Sequence, residues 1–369
     1  MTATVAVVGG GYGGIAVAKA LDEIADVRLI EPRETFVHNV AALRAVTDPD
    51  WIGRLFLPYS RLLARGRVIR DRAARVDAGT VTLGSGGRIE ADYIILATGS
   101  RYPFPAKPDL DETLAASTKL HTAHQALASA GHVLLLGAGP VGLELAGEIK
   151  AAWPGKSVTI VDPARDILAG AYPDEFRAEL HSQLTALGVT LILGTSLATE
   201  LPSGPGVAQT FSATTQNGTA IAADIWFRCY GVEPVTDYLA ADLKAARQAD
   251  GHLRVTDQLW LPGHPTVFAI GDITAIPEAK KAQAAAAHAQ VVAANITSLI
   301  RGERDQVSYQ PHPPSISIPL GPAGGASYAP HAGVVNAETT ARLKGADLMI
   351  PAYAQLLGLP EPAGQEATR

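Results

Sequence analysis

Two glycine clusters carry the spacing that binds phosphate. Gly9, Gly11 and Gly14 form one G-x-G-x-x-G pattern, enclosing Gly10, Tyr12 and Gly13; Gly137, Gly139 and Gly142 form a second, enclosing Ala138, Pro140 and Val141. In such a loop the first glycine permits a tight turn, the second lets backbone approach a pyrophosphate, and the third lets a helix pack on a strand. Free N–H groups and the positive dipole end of that helix then stabilise the phosphates. About 20 residues beyond each cluster an apolar run closes on an acid, Glu31 and Asp162, where a carboxylate can accept bonds from ribose hydroxyls. Pro32 and Arg33 follow the first acid directly and are assigned to the same site. Asp162 repels a 2′-phosphate, which predicts NADH over NADPH, while the nearby Arg165 pulls the other way.

The elements that position these loops repeat. TVAVVGGGYGGIAVAKAL…VRLIEP, Thr4 to Pro32, and HVLLLGAGPVGLELAGEI…SVTIVDP, His132 to Pro163, each run strand, glycine turn, helix, strand. Their apolar runs lack alternation, as parallel strands covered on both faces do. The fold class expected is therefore α/β with two Rossmann-like units. A third apolar run, Tyr93 to Ala97, leads into Thr98-Gly99-Ser100, and the Pro-rich Tyr102 to Leu110 reads as a connection. ADIWFRCYG, ending at Gly231, extends the second unit; Thr266 to Asp272 reads as another strand, followed by an Ala-rich helix over Ala282 to Ile296. From about Val307, short alternation with Gly and Pro suggests hairpin strands. DLMIPAYAQLL reads as a short helix with Pro351 in its first turn, and the tail from Leu359 reads as frayed.

Composition closes off other chemistry. The 369 residues are 47 % hydrophobic and 18 % charged with a net charge of −6, the balance of a globular protein with no global attraction to nucleic acid or anionic membrane. The basic run Arg61, Arg65, Arg67, Arg70, Arg72 and Arg75 lacks interleaved aromatics and reads as a solvated face rather than a nucleic-acid surface. One cysteine, Cys229, rules out a redox-active pair and reads as a buried small hydrophobe. The ten histidines show no zinc-like spacing, so no metal is expected. The start of the chain has no signal or transit pattern and no long apolar run follows, which predicts a cytoplasmic protein without a transmembrane segment.

Further residues gain meaning from a resemblance. FVHNVAALRA (Phe36 to Ala45), FLPYS (Phe56 to Ser60), LATGSRYPFPAK (Leu96 to Lys107), GAGPVGLELAGEI and IGDI are similar to those of the AIF-like FAD/NAD(P)H oxidoreductases, at the ferroptosis suppressor branch, with type II NADH dehydrogenases more distant. The resemblance implies a glutathione-reductase-like two-domain flavoprotein. Its parts would be a discontinuous FAD domain (1–112 and 236–305), an NAD(P)H domain (113–235) and a small C-terminal α+β domain (306–369) shaping the acceptor side. It implies non-covalent FAD, reduction by NADH with NADPH as alternative, and a quinone-like small-molecule acceptor. The alternatives are an electron-carrier protein, a specialised metabolite, or a slowly turning redox sensor. No acylation signal or C-terminal anchor helix favours a membrane quinone.

By the same match, Val76, Ala97, Thr98 and Gly99 lie along FAD, Gly271-Asp272 meets its ribityl or pyrophosphate, and His38 and Asn39 line the ring. Gly231 belongs to the nucleotide side. Glu144 would sit where nicotinamide meets flavin; its plain reading is a solvated helix carboxylate. Lys280 would approach the ring, with Lys281 leaving the register open and Ala282 beginning the helix behind it. Arg44 fits a cofactor contact or a core-edge ion pair, and His288 a core histidine bonded to backbone.

Overall fold

The computed structural model describes residues 2–360. Its first sheet has six strands in the order Trp260–Leu261, His264–Ala269, Tyr93–Leu96, Thr4–Val8, Asp26–Ile30 and Arg67–Ile69. All pairings are parallel except that of the short edge strand Trp260–Leu261. Burial on both faces explains the unbroken apolar runs. Val5 and Val7 pack with Ile15, Val17, Val292 and Ile296 of the helices Tyr12–Leu21 and Ala282–Ile300. Ala6 and Val8 face the other way, onto Val76, Val81, Leu243 and Leu253.

The second sheet is parallel throughout, in the order Val189–Leu193, Ser157–Asp162, His132–Leu136 and Ile225–Arg228. Val133 and Leu135 share a core with Leu143, Leu145 and Ile149 of the helix Pro140–Ala152. Leu134 turns to the opposite face, against Phe211, Ala213, Ile221 and Ala223 of an antiparallel hairpin. Among the described residues no helix is long and apolar enough to cross a membrane.

Beyond residue 315 the chain forms an antiparallel meander, Ile316–Leu320, Gly324–Ala329 and Gly333–Val335, and then short helices ending in Ile350–Leu356. Pro351 lies in the first turn of that last helix, where its missing N–H costs nothing. Residues 361–369, most of the stretch expected to fray, lie outside the described residues. The meander sits directly on the helix Pro140–Ala152: a Cβ at Gly147 would come 2.4 Å from Leu320 Cα, so only glycine allows this approach.

Candidate active site

The two glycine loops have one geometry. Gly9 and Gly137 have φ of +107° and +114°, a region open to glycine. A Cβ at Gly14 would fall 1.9 Å from the Gly9 carbonyl oxygen, and one at Gly142 the same 1.9 Å from that of Gly137. A Cβ at Gly11 or Gly139 would meet nothing within 4 Å, so both backbones border open space. Neither following helix has a side-chain cap, which leaves its first N–H groups available to an anion. The acids close the loops alike. Gly10 N–H donates to Glu31 Oε2 at 2.6 Å and Arg33 N–H to Oε1 at 3.0 Å. Ala138 N–H donates to Asp162 Oδ2 at 2.6 Å and Ala164 N–H to Oδ1 at 2.7 Å. Tyr59, which the sequence reading missed, donates its hydroxyl to the Gly10 carbonyl at 2.8 Å.

A cavity of about 480 Å³ opens beside the first loop. Gly9, Glu31, Pro32, Arg33 and Thr98 line it, as do Ser100, Lys107 and Tyr238, which were not singled out from sequence. Thr98 Oγ1 donates to the Val235 carbonyl at 2.6 Å; Ala97 is buried beneath Gly9, and Gly99 has φ +65°. The Val76 side chain is fully buried in the core, and its N–H and carbonyl are bonded to the backbone of Tyr238 and Ala240, while Ala73 and Ala74 line the cavity.

Asp272 accepts from Ser100 Oγ at 2.5 Å and Lys107 Nζ at 3.2 Å. Burial works against its ionisation, but Lys107 and Ser100 outweigh burial and hold the carboxyl below its ordinary value. Gly271 N–H donates to His288 Nδ1 at 3.0 Å, while His288 Nε2–H and the Tyr309 hydroxyl both donate to Glu278, each at 2.7 Å. His288 is thus the backbone-bonded core histidine expected, wired also to a buried carboxylate. The Lys280 ammonium donates to the Thr274 and Ile276 carbonyls, both at 2.8 Å. Lys281 turns to the Ser315 carbonyl, and Ala282 starts the long helix without a side-chain cap. Gly13 packs that helix close, against Ile270 and Ala285.

The stretch from His38 to Arg44 meets the C-terminal segment. His38 is fully buried and donates Nε2–H to the Leu348 carbonyl at 2.6 Å, leaving Nδ1 to accept from the Tyr12 hydroxyl at 3.3 Å. Burial pushes this imidazole down to about 4. Tyr353 packs against Tyr12, Phe36 and His38, with ring centroids 4.9 to 5.8 Å apart. Arg44 takes the ion-pair alternative: Nε and Nη2 grip both oxygens of buried Glu148 at 3.0 and 2.7 Å, and Nη1 donates to the Ala346 carbonyl. Glu144, one turn earlier on the same helix, is not solvated. It accepts from Lys344 Nζ at 2.7 Å; burial raises its carboxyl and Lys344 opposes that rise. Val141 packs into the same core, and Gly231 lies exposed with φ +94° beyond the strand Ile225–Arg228. In the arginine run, Arg70 pairs with Glu112 and Arg72 with Asp111, both on the surface.

A family profile described as pyridine nucleotide-disulphide oxidoreductase matches residues 3–290. The chain belongs to that family. It is 34 % identical over 320 residues to an FAD-dependent oxidoreductase of Flammulina velutipes, covering 83 % of this chain and 97 % of the relative. It is 27 % identical over 377 residues to apoptosis-inducing factor homolog B of Dictyostelium discoideum, covering 97 % of each. Human ferroptosis suppressor protein 1 is 29 % identical over 313 residues, 83 % of each chain. The sulfide:quinone oxidoreductase of Aquifex aeolicus shares the fold with a TM-score of 0.75 over 98 % of this chain and 93 % of that one, at 18 % identity.

As an NAD(P)H flavoprotein oxidoreductase of this family, the chain lacks the disulphide chemistry for which the family is named. Its single cysteine is buried, and burial pushes the thiol up to about 12, so no dithiol relay runs through it. Three observations fit a flavin dinucleotide at the first loop. Gly11 faces open space, the cavity reaches Glu31 and Thr98, and Asn39 Oδ1 is buried with no hydrogen-bond partner.

Proposed function

We propose that the protein oxidises NADH through a resident, non-covalent FAD and passes the electrons to a quinone-like small molecule. On this reading residues 1–112 and 236–305 hold FAD, 113–235 admit the nucleotide, and the segment from 306 shapes the acceptor side. The observation that carries it is the junction of the two units. Arg44, in the same stretch as Asn39, is clamped to Glu148, so the helix that opens at the second glycine loop lies against the proposed flavin stretch. A nucleotide seated on Gly139 would extend along that helix toward Glu144.

FAD supplies the hydride-accepting chemistry when bound. The chain supplies the rest. Glu31 and Asp162 fix their loops and leave lone pairs for ribose hydroxyls, and Asp272, its carboxylate kept ionised by Lys107, would hold the sugar chain. The capless N-terminus at Ala282 offers its dipole to developing negative charge. The Glu144 carboxylate, its Oε1 held by Lys344, would hold or take a proton at the junction on Oε2, its basicity raised by burial and checked by Lys344. Asp162 favours NADH, because a 2′-phosphate would bring a second negative charge onto it.

Purified protein should oxidise NADH several-fold faster with a soluble short-chain quinone than with oxygen alone, and faster than it oxidises NADPH. Quinone-independent turnover would remove the proposed acceptor, and a preference for NADPH would remove the role of Asp162.

A further inference from the structure

The loop between Asp162 and the helix Asp174–Ala186 turns its carbonyls inward. Leu168 and Gly170 have φ of +53° and +118°, and the carbonyls of Ile167, Leu168, Gly170 and Tyr172 converge on one group. The Arg177 guanidinium donates Nε to Ile167 and Leu168 at 3.2 and 3.3 Å, Nη1 to Tyr172 at 2.6 Å, and Nη2 to Leu168 and Gly170 at 3.2 and 2.7 Å. Asp174 lies 3.4 Å and Asp166 3.9 Å from it, and the side chain is 13 % exposed. A planar fork of five donors suits this task, and a lysine ammonium does not.

The clasped loop returns to the phosphate loop. Leu168 N–H donates to the Ala138 carbonyl at 3.0 Å, while the N–H of Ala138 is held by Asp162. Residue 138 is therefore fixed at its carbonyl by the Arg177 loop and at its amide by the acid, directly before the open face of Gly139.

We propose that Arg177 is a positioning residue for the nicotinamide nucleotide. It builds the 166–172 loop into a rigid wall that holds the second glycine loop in its binding shape. This rests on the nucleotide assignment made above. The Arg177 guanidinium is taken up by the loop carbonyls with Asp166 and Asp174 beside it, so on this proposal it acts on binding and leaves the reacting atoms alone.

The test is single-turnover flavin reduction of the flavin-loaded protein across a range of NADH concentrations, for the wild type, Arg177→Ala and Arg177→Lys. For Arg177→Ala the apparent Kd for NADH rises about ten-fold. The limiting rate stays within about two-fold and the flavin content is unchanged. Arg177→Lys, which satisfies fewer carbonyls, gives a rise of about three-fold with the same split. If Arg177→Ala does not fold, the lysine variant carries the test alone. An unchanged Kd overturns the proposal, as does a parallel loss of rate and flavin, which marks a purely structural role. Failure of NADH to reduce wild-type flavin would instead strike the nucleotide assignment itself.

Discussion

The two glycine loops match in turn, helix start and closing acid, yet they sit in different surroundings. At the first, Glu31 is buried, Tyr59 reaches in from a distant segment to the Gly10 carbonyl, and Tyr12, His38 and Tyr353 pack over the helix start. At the second, Asp162 is half-buried, the Ala138 carbonyl is held only by the adjoining loop, and the neighbours Arg165 and Gly231 are exposed. On the proposed function, one backbone device encloses a resident dinucleotide in one place and admits an exchanging one in the other, the selection lying in what packs around the loop.

The sharpest way to break this comparison is to place the same methyl group in both loops. Each of Gly14→Ala and Gly142→Ala drives a Cβ to 1.9 Å from a carbonyl oxygen. Gly14→Ala should purify without flavin, judged by its visible absorbance. Gly142→Ala should keep its flavin and lose NADH-driven reduction by about 100-fold, or about 2.7 kcal/mol. Equal flavin content in the two variants would dissolve the distinction. The link between the units comes next. Arg44→Ala leaves Glu148 charged and buried, and denaturant unfolding should show a loss of about 3 kcal/mol, largely recovered when Glu148→Leu is added to Arg44→Met.

The seal over the first loop should weaken as pH falls. His38 lies at about 4 in the folded protein, below the ordinary histidine value of about 6.5, so the unfolded chain binds the proton first. Its stabilising contribution is complete above the unfolded value and declines as pH falls toward the folded one. Between pH 7 and pH 5 that amounts to about 2 kcal/mol, which His38→Gln should remove from the pH dependence of unfolding. The smallest effect is expected for Tyr59→Phe. Losing one buried hydroxyl bond to Gly10 should weaken flavin retention by about 1 kcal/mol, seen as faster flavin release on dilution, with NADH affinity unchanged.

Local chemistry was legible in the sequence wherever backbone geometry demands particular residues. The glycine spacing, the acids after the second strands, the Ala-rich helix and Pro351 in a first turn all follow from steric rules within one segment. Contacts between distant segments left no such trace. Tyr59 onto Gly10, Lys344 onto Glu144 and Leu348 onto His38 join residues 49, 200 and 310 positions apart. Gly147 gave only the trace of a glycine inside a helix, with no hint of the strand that crosses it. The carbonyls that Lys280 bonds and the core that encloses Val76 left no trace either: a side chain's direction is set by its nearest unsatisfied carbonyls or core neighbours, which motif position does not reveal. Arg44 and Glu148 carry opposite charges, but nothing in their spacing pairs them.

The most direct test of the two-loop division is anaerobic mixing of the purified wild-type protein with NADH while the flavin absorbance is followed. The division predicts a protein that carries stoichiometric flavin through purification and bleaches in a single NADH-saturable phase. A protein that purifies colourless, or a bound flavin that NADH leaves oxidised, would contradict it.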